Sequence, residues 1–141
     1  MPATRSSVLA LDVGGVRVGV AIMSIDAKLP HPLRTLTSQG QDLFAEIKSI
    51  INEESVSQLV IGLPRGLSGQ NTSQTEETIS FVETLKTQVT IPIDMQDEAL
   101  SSSRAKDELE KRGKPYTKGD IDALAATYIL EDWYIDHKGN I

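Results

Sequence analysis

Hydrophobic positions fall into two patterns along this chain. Some form short, dense runs bounded by glycine, proline or polar clusters. Others recur every three to four residues over longer stretches. The first pattern predicts strands and the second helices. Residues 6–13 alternate and run apolar, a first strand. Residues 16–24 follow a tight Gly14-Gly15 turn and pair with it as a hairpin. Leu33 to Thr37 is a short third strand after the Pro30-His31-Pro32 turn. Over 41–54, Leu43, Phe44, Ile47, Ile50 and Ile51 recur at helical spacing. Gln58 to Pro64 is a buried strand ended by its proline, and a glycine-rich loop, Arg65 to Asn71, follows. Residues 72–88 form a helix with Ile79, Val82, Leu85 and Val89 inward, capped by Asn71, Thr72 or Ser73. Thr90 to Gln96 is a fifth strand. Residues 101–112 are helical, with serine at the start and Gly113 as the stop. Residues 120–135 form the last helix, with Ile121, Leu124, Tyr128 and Ile129 on one stripe.

The resulting order is βββ-α-β-α-β-α-α. A front hairpin joined to βα units gives an α/β fold with a mixed sheet and helices on both faces. No repeat, low-complexity tract or linker interrupts residues 1–141, so a single domain is expected. Ligands of such open sheets bind at the carboxyl ends of the strands. Asp12 ends the first strand, the 64–71 loop the fourth, and Glu98 the fifth. These positions are expected to face one crevice.

Composition narrows the chemistry. The chain has 141 residues and no cysteine, which excludes a disulfide scaffold, a thiolate zinc site and cysteine catalysis. No signal peptide is read at the start, and no apolar run approaches the about 18 residues of a membrane span. A soluble, cytoplasmic protein is expected. A net charge of −6 argues against broad nonspecific nucleic-acid binding. A metal nuclease nonetheless carries acids in its site, where bound cations reverse the local sign. Basic residues gather in Arg104, Lys106, Lys111, Arg112, Lys114 and Lys118. That segment reads either as a solvated helix face or as a phosphate-binding patch.

Three acidic positions stand out. Asp12 is delivered by a strand into a glycine turn, a way to hold a metal or phosphate; Asp before Gly also simply shapes turns. Gly14 and Gly19 are spaced like P-loop glycines, but Val20-Ala21 stands where Lys-Ser/Thr is required, so a Walker loop fails. Asp97-Glu98 follow a strand and precede a helix, where an acid also suits the helix dipole. Asp122 lies in the first turn of the last helix, with Ala125 and Ala126 one turn on to permit close packing against the sheet. Asp120 fits the role of a helix-start acid better than Asp122 does. Three buried carboxylates repel unless neutralised. A hard divalent cation such as Mg²⁺ resolves this and supports phosphodiester hydrolysis.

The combination Leu11-Asp-Val-Gly-Gly-Val-Arg17-Val-Gly-Val-Ala21, Val60-Ile-Gly-Leu-Pro64 with Gly69, Asp97-Glu98-Ala-Leu-Ser-Ser102 and Lys118-Gly-Asp-Ile-Asp122-Ala-Leu-Ala-Ala126 with Ile129-Leu130 resembles the YqgF/RuvX family. That family comprises Holliday junction resolvase-like proteins and pre-16S ribosomal RNA nucleases of the ribonuclease H-like superfamily. The resemblance spans residues 7–135. It implies a ribonuclease H-like five-stranded mixed sheet with the first three strands antiparallel. It implies Asp12, Glu98 and Asp122 as catalytic, metal-holding carboxylates for Mg²⁺ or Mn²⁺, with Arg17 in the same pocket. One departure is Ala99, where the family usually carries arginine. Asp12-Val-Gly-Gly is also similar to the phosphate loop of actin-like sugar kinases, but that reading needs a hydroxyl near Val16 and a second lobe.

The expected function is a metal-dependent nuclease acting in 5′-end processing of pre-16S rRNA, and so in ribosome biogenesis. The alternatives are a Holliday junction resolvase in DNA recombination and a noncatalytic nucleic-acid-binding factor. Arg17, Arg104, Lys114 and Lys118 are the expected substrate contacts, with Lys111 and Arg112 beside them. The partner is structured RNA or branched DNA, met by a monomer or homodimer with no membrane involved.

Overall fold

The structure, a computed structural model, describes residues 6–37, 42–66, 68–98 and 101–137. Its elements are β1 (Ser7–Val13), β2 (Arg17–Ser24), β3 (His31–Thr37), α1 (Leu43–Glu53), β4 (Val56–Pro64), α2 (Ser73–Lys86), β5 (Ile93–Glu98), α3 (Ser101–Arg112) and α4 (Lys118–His137). The order along the sheet is β3-β2-β1-β4-β5. The first three strands pair antiparallel, and β4 lies parallel to β1 and β5. Element order and sheet type match the pattern of the sequence.

Strand alternation divides the core in two, because successive side chains leave a strand on opposite faces. Leu9, Leu11, Val18, Val20, Leu59 and Ile61 pack with Leu43, Ile47 and Ile50 of α1 and Val82 and Leu85 of α2. Val8, Ala10, Ala21, Met23 and Val60 face the other way, onto Ala126, Ile129, Leu130 and Trp133 of α4. Helix α3 packs on α4, setting Ala105 and Leu109 on Leu124, Ala125 and Tyr128. Among the described residues no helix is long and apolar enough to cross a membrane.

Several boundaries differ from the sequence pattern; α4 starts at Lys118 rather than residue 120, which puts Asp122 one turn inside the helix rather than in its first turn. Strand β3 begins at His31 and includes Pro32. It is an edge strand, where a missing N–H costs no ladder bond, and the register shifts beside this point. Strand β5 runs Ile93–Glu98 rather than Thr90 to Gln96. Parallel pairing from Leu59↔Ile93 to Pro64↔Glu98 carries the strand through residues of low β propensity. In α2 the inward face is Thr75, Thr78, Val82 and Leu85, with Ile79 only partly buried. Thr72 is the cap: its side chain accepts from the Thr75 N–H, and Thr75 returns the contact to the Thr72 backbone. Val89 packs on the core from beyond the helix, which ends at Lys86.

Candidate active site

The same alternation decides which acids face α4. Asp12 continues the Val8, Ala10 line of β1, so it faces α4. It pairs across the hairpin with Gly19 of β2, which shares that face with Arg17 and Ala21. Glu98 shares its parity with Asp94, whose carboxylate accepts from the Trp133 indole of α4 at 3.0 Å. Asp97, one residue earlier, points away and pairs with Arg65 at 3.2 Å. That Glu98 rather than Asp97 lies on the α4 face is therefore a consequence of the pleat.

Asp122 reaches this face because α4 lies almost on the β2 backbone. A methyl at Gly19 would stand 2.0 Å from the Asp122 carbonyl oxygen and 2.9 Å from the Ala123 nitrogen. A methyl at Gly62 would stand 2.3 Å from the Ile129 side chain. The close approach is thus carried by glycines in the sheet as much as by the alanines of the helix. Asp120 has a different task. Its carboxylate accepts from the Thr117 N–H at 2.8 Å, and the Thr117 hydroxyl accepts from the Asp120 N–H at 3.1 Å. These reciprocal bonds cap α4 and leave Asp122 to the crevice.

Electrostatics show which groups meet. Burial pushes the Asp12 carboxyl up to about 7, and the negative charge of Asp122 adds to the rise. Burial also raises Glu98, to about 9, reinforced by a hydrogen bond to Asp132 and by that residue's charge; Arg104 opposes the shift, and Asp12 contributes a smaller rise. One Glu98 oxygen, Oε1, is buried without a partner. Arg17 donates from Nε to Asp122 Oδ2 at 2.5 Å. Asp122 retains little exposure, 18% of its side chain, against 36% for Arg17.

Asp132 is the acid that the sequence pattern did not single out. It follows Ile129 by three positions on α4, at the margin of the stripe that faces the sheet. An acid at the edge of an apolar stripe was the available signal.

The basic residues are distributed unequally. Arg104 lies over the Tyr128 ring at 3.9 Å and approaches Glu131 at 3.9 Å, and its charge is felt at Glu98. Arg112 pairs within its own helix with Glu108. Lys111, Lys114 and Lys118 are exposed, Lys118 one turn before Asp122. Ala99 lies outside the described residues.

The donor set is all oxygen, as a hard divalent cation requires, and the orphaned Glu98 Oε1 is a buried acceptor with unused capacity. Among the described residues, however, no three acidic or imidazole groups stand close enough to hold one ion as they are placed. Arg17 on Asp122 and Asp132 on Glu98 occupy the carboxylates instead.

Residues 6–136 match the RuvX family, described as Holliday junction resolvase. The chain belongs to the RuvX family. Its curated relatives carry the name "Putative pre-16S rRNA nuclease". The one from Chloroflexus aurantiacus is 38% identical over 136 residues, covering 94% of this chain and 89% of its own. That from Maridesulfovibrio salexigens is 39% identical over 129 residues, covering 89% and 96%. Among solved structures, Thermus thermophilus RuvC in complex with a Holliday junction substrate superposes with a TM-score of 0.54 at 14% identity, over 92% of this chain and 95% of that one. The fowlpox virus Holliday junction resolvase gives 0.52 at 12% identity, over 92% and 98%. At such identities the likeness concerns the ribonuclease H-like fold. The RuvX assignment and the pre-16S rRNA nuclease relatives together support a hydrolase of the nuclease class.

Proposed function

We propose that this RuvX protein is a metal-dependent endonuclease of the cytoplasm that trims the 5′ region of precursor 16S rRNA, with Asp12, Glu98 and Asp122 as its catalytic carboxylates. The observation that carries the reading is the shared face: Asp12, Glu98 and Asp122 come from three elements, and two of the three are held well above the ordinary carboxylate range. Uncompensated acids so placed cost stability, and they are retained where function uses them.

Asp12, Glu98 and Asp122 would hold Mg²⁺ or Mn²⁺. When bound, such an ion activates water and offsets the charge of the phosphodiester under attack. The remaining steps belong to the chain. Asp12 must give up its proton, which its position near 7 allows at neutral pH. Glu98 keeps its proton against Asp132 until a cation approaches. Arg17 neutralises Asp122 in the free protein and is placed to turn its guanidinium to a substrate phosphate instead. Arg104, Lys114 and Lys118 supply positive charge along the approach to α4, where phosphate contacts position the strand.

A branched DNA substrate is the second reading, favoured by the family's description as Holliday junction resolvase. A resolvase cutting two strands calls for a homodimer, whereas trimming one RNA end is work for a monomer. Cleavage of a precursor 16S rRNA fragment and of a four-way DNA junction, each with Mg²⁺ or Mn²⁺, decides between them. The proposal expects RNA to be cut and Asp12→Asn to be inactive. Cutting of the junction alone would favour the resolvase. Binding of either without cleavage would favour a noncatalytic factor.

A further inference from the structure

A cavity of about 450 Å³ lies across the Gly14-Gly15 turn from the carboxylates. Val13, the residue after Asp12, lines it. Its walls are the first turn of α1 and the first three turns of α2. Phe44 of α1 and Phe81 of α2 stack there with ring centroids 5.3 Å apart and planes 23° from parallel, both only partly buried. Thr78 also borders the cavity, and its hydroxyl is buried with no hydrogen-bond partner. The rim is acidic, formed by Asp42 and Glu77. Asp42 is engaged as the α1 cap, accepting from the Ala45 N–H at 3.1 Å. Glu77 is exposed, and no hydrogen bond or ion pair of its own is found among the described residues.

These features select a class of ligand. Two carboxylates at the rim repel a phosphate. Paired aromatic rings offer an apolar platform on which a flat base stacks. An open carboxylate takes two parallel N–H donors best. Among the common nucleobases only guanine presents two adjacent donors, N1–H and N2–H, on one edge. We propose that this cavity receives a guanine base next to the scissile phosphodiester, carried over the side-chain-free Gly14-Gly15 turn while the phosphate lies on the α4 side. The inference rests on the nuclease reading for its geometry, and it gives the site a base preference.

The test separates the two. Binding of uridine-rich RNA 10-mers carrying guanosine, inosine or adenosine at alternate positions is measured by fluorescence anisotropy, without divalent metal so that nothing is cut. Wild type should bind the guanosine oligomer about ten-fold more tightly than the inosine one, which lacks only the 2-amino group. Glu77→Gln, a surface change, should erase that difference. Phe44→Leu, checked for folding by circular dichroism, should weaken both oligomers about ten-fold through lost stacking. Equal binding of guanosine and inosine oligomers by wild type, or a guanosine preference that survives in Glu77→Gln, overturns the base site. Cleavage of the same oligomers after Mn²⁺ addition is read separately. A guanosine preference without cleavage contradicts the nuclease reading and supports the cavity; cleavage that ignores guanosine does the reverse.

Discussion

Asp12 feels the negative charge of Asp122, and Asp122 in turn carries the Arg17 guanidinium. Asp12 titrates near 7 because it is buried beside that second negative charge, so at pH 8 its ionised form costs stability. Replacing it by asparagine keeps the shape and removes the charge. Asp12→Asn should lower cleavage by at least about 100-fold, more than the loss of a residue that merely orients a ligand. At pH 8 and without metal it should melt a few degrees above wild type, and at pH 4, where Asp12 is already protonated, the gain should vanish. Thermal melts at the two pH values check this. Arg17→Ala tests the other half of the pair. Removing the guanidinium from Asp122 should tighten Mn²⁺ binding by up to about five-fold, the size of a partly exposed ion pair. RNA affinity should fall in the same variant, by calorimetry and anisotropy respectively. Unchanged Mn²⁺ affinity would mean that Arg17 does not compete for the site. At this scale the sequence made the places of Asp12 and Glu98 at strand ends and of Asp122 near the start of the last helix legible, since such boundaries announce themselves through glycine and apolar periodicity. Arg17 on Asp122 and Asp132 on Glu98 were not legible as pairs, because they join positions 105 and 34 residues apart whose meeting depends on how α4 crosses the sheet.

The placement of α4 depends on two missing side chains. Gly19 and Gly62 let the helix rest against β2 and β4, and each would clash if it carried a Cβ. Gly19→Ala drives a methyl into the Asp122 backbone, so α4 must lift from the strand that pairs with Asp12. Overpacking of this kind costs about 1–3 kcal/mol, and Gly19→Ala should melt several degrees lower and lose the stabilisation that Mn²⁺ gives to wild type. Gly15→Ala is the control: its methyl meets nothing within 4 Å, and it should melt as wild type does. The order of elements was readable from periodicity, because each strand and helix has a clear apolar rhythm. The exact span of β5 was not. Its sequence Ile93-Asp-Met-Gln-Asp-Glu98 is polar at most positions, and only pairing with β4 makes it a strand. The inward threonines of α2 were hidden for a related reason: Thr75 donates its hydroxyl to the Pro64 carbonyl, a tertiary bond that no helical pattern reveals.

Across the whole molecule, two raised carboxyls tie stability to pH. In the fold Asp12 titrates near 7 against 3.8 in the free side chain, and Glu98 near 9 against 4.5. The folded chain therefore holds more protons than the unfolded chain between about pH 4 and 9. The stability this gives is complete below about pH 4 and is lost as pH rises through 7 and then 9. The metal-free protein should melt at progressively lower temperature over that range. Saturating Mn²⁺ should flatten the slope, because ligands bind metal in their deprotonated form. An overall charge of −6 adds repulsion in the same direction as the last carboxyls ionise. The proposed catalysis turns on whether Asp12, Glu98 and Asp122 come together around a cation. Anomalous diffraction from crystals grown in millimolar Mn²⁺ answers that directly. A single strong peak, or a close pair, is expected within coordination distance of Asp12 and Asp122 and reached by Glu98 directly or through water, with Arg17 withdrawn from Asp122. Crystals that show no manganese at these carboxylates, with Arg17 still seated on Asp122, would contradict it.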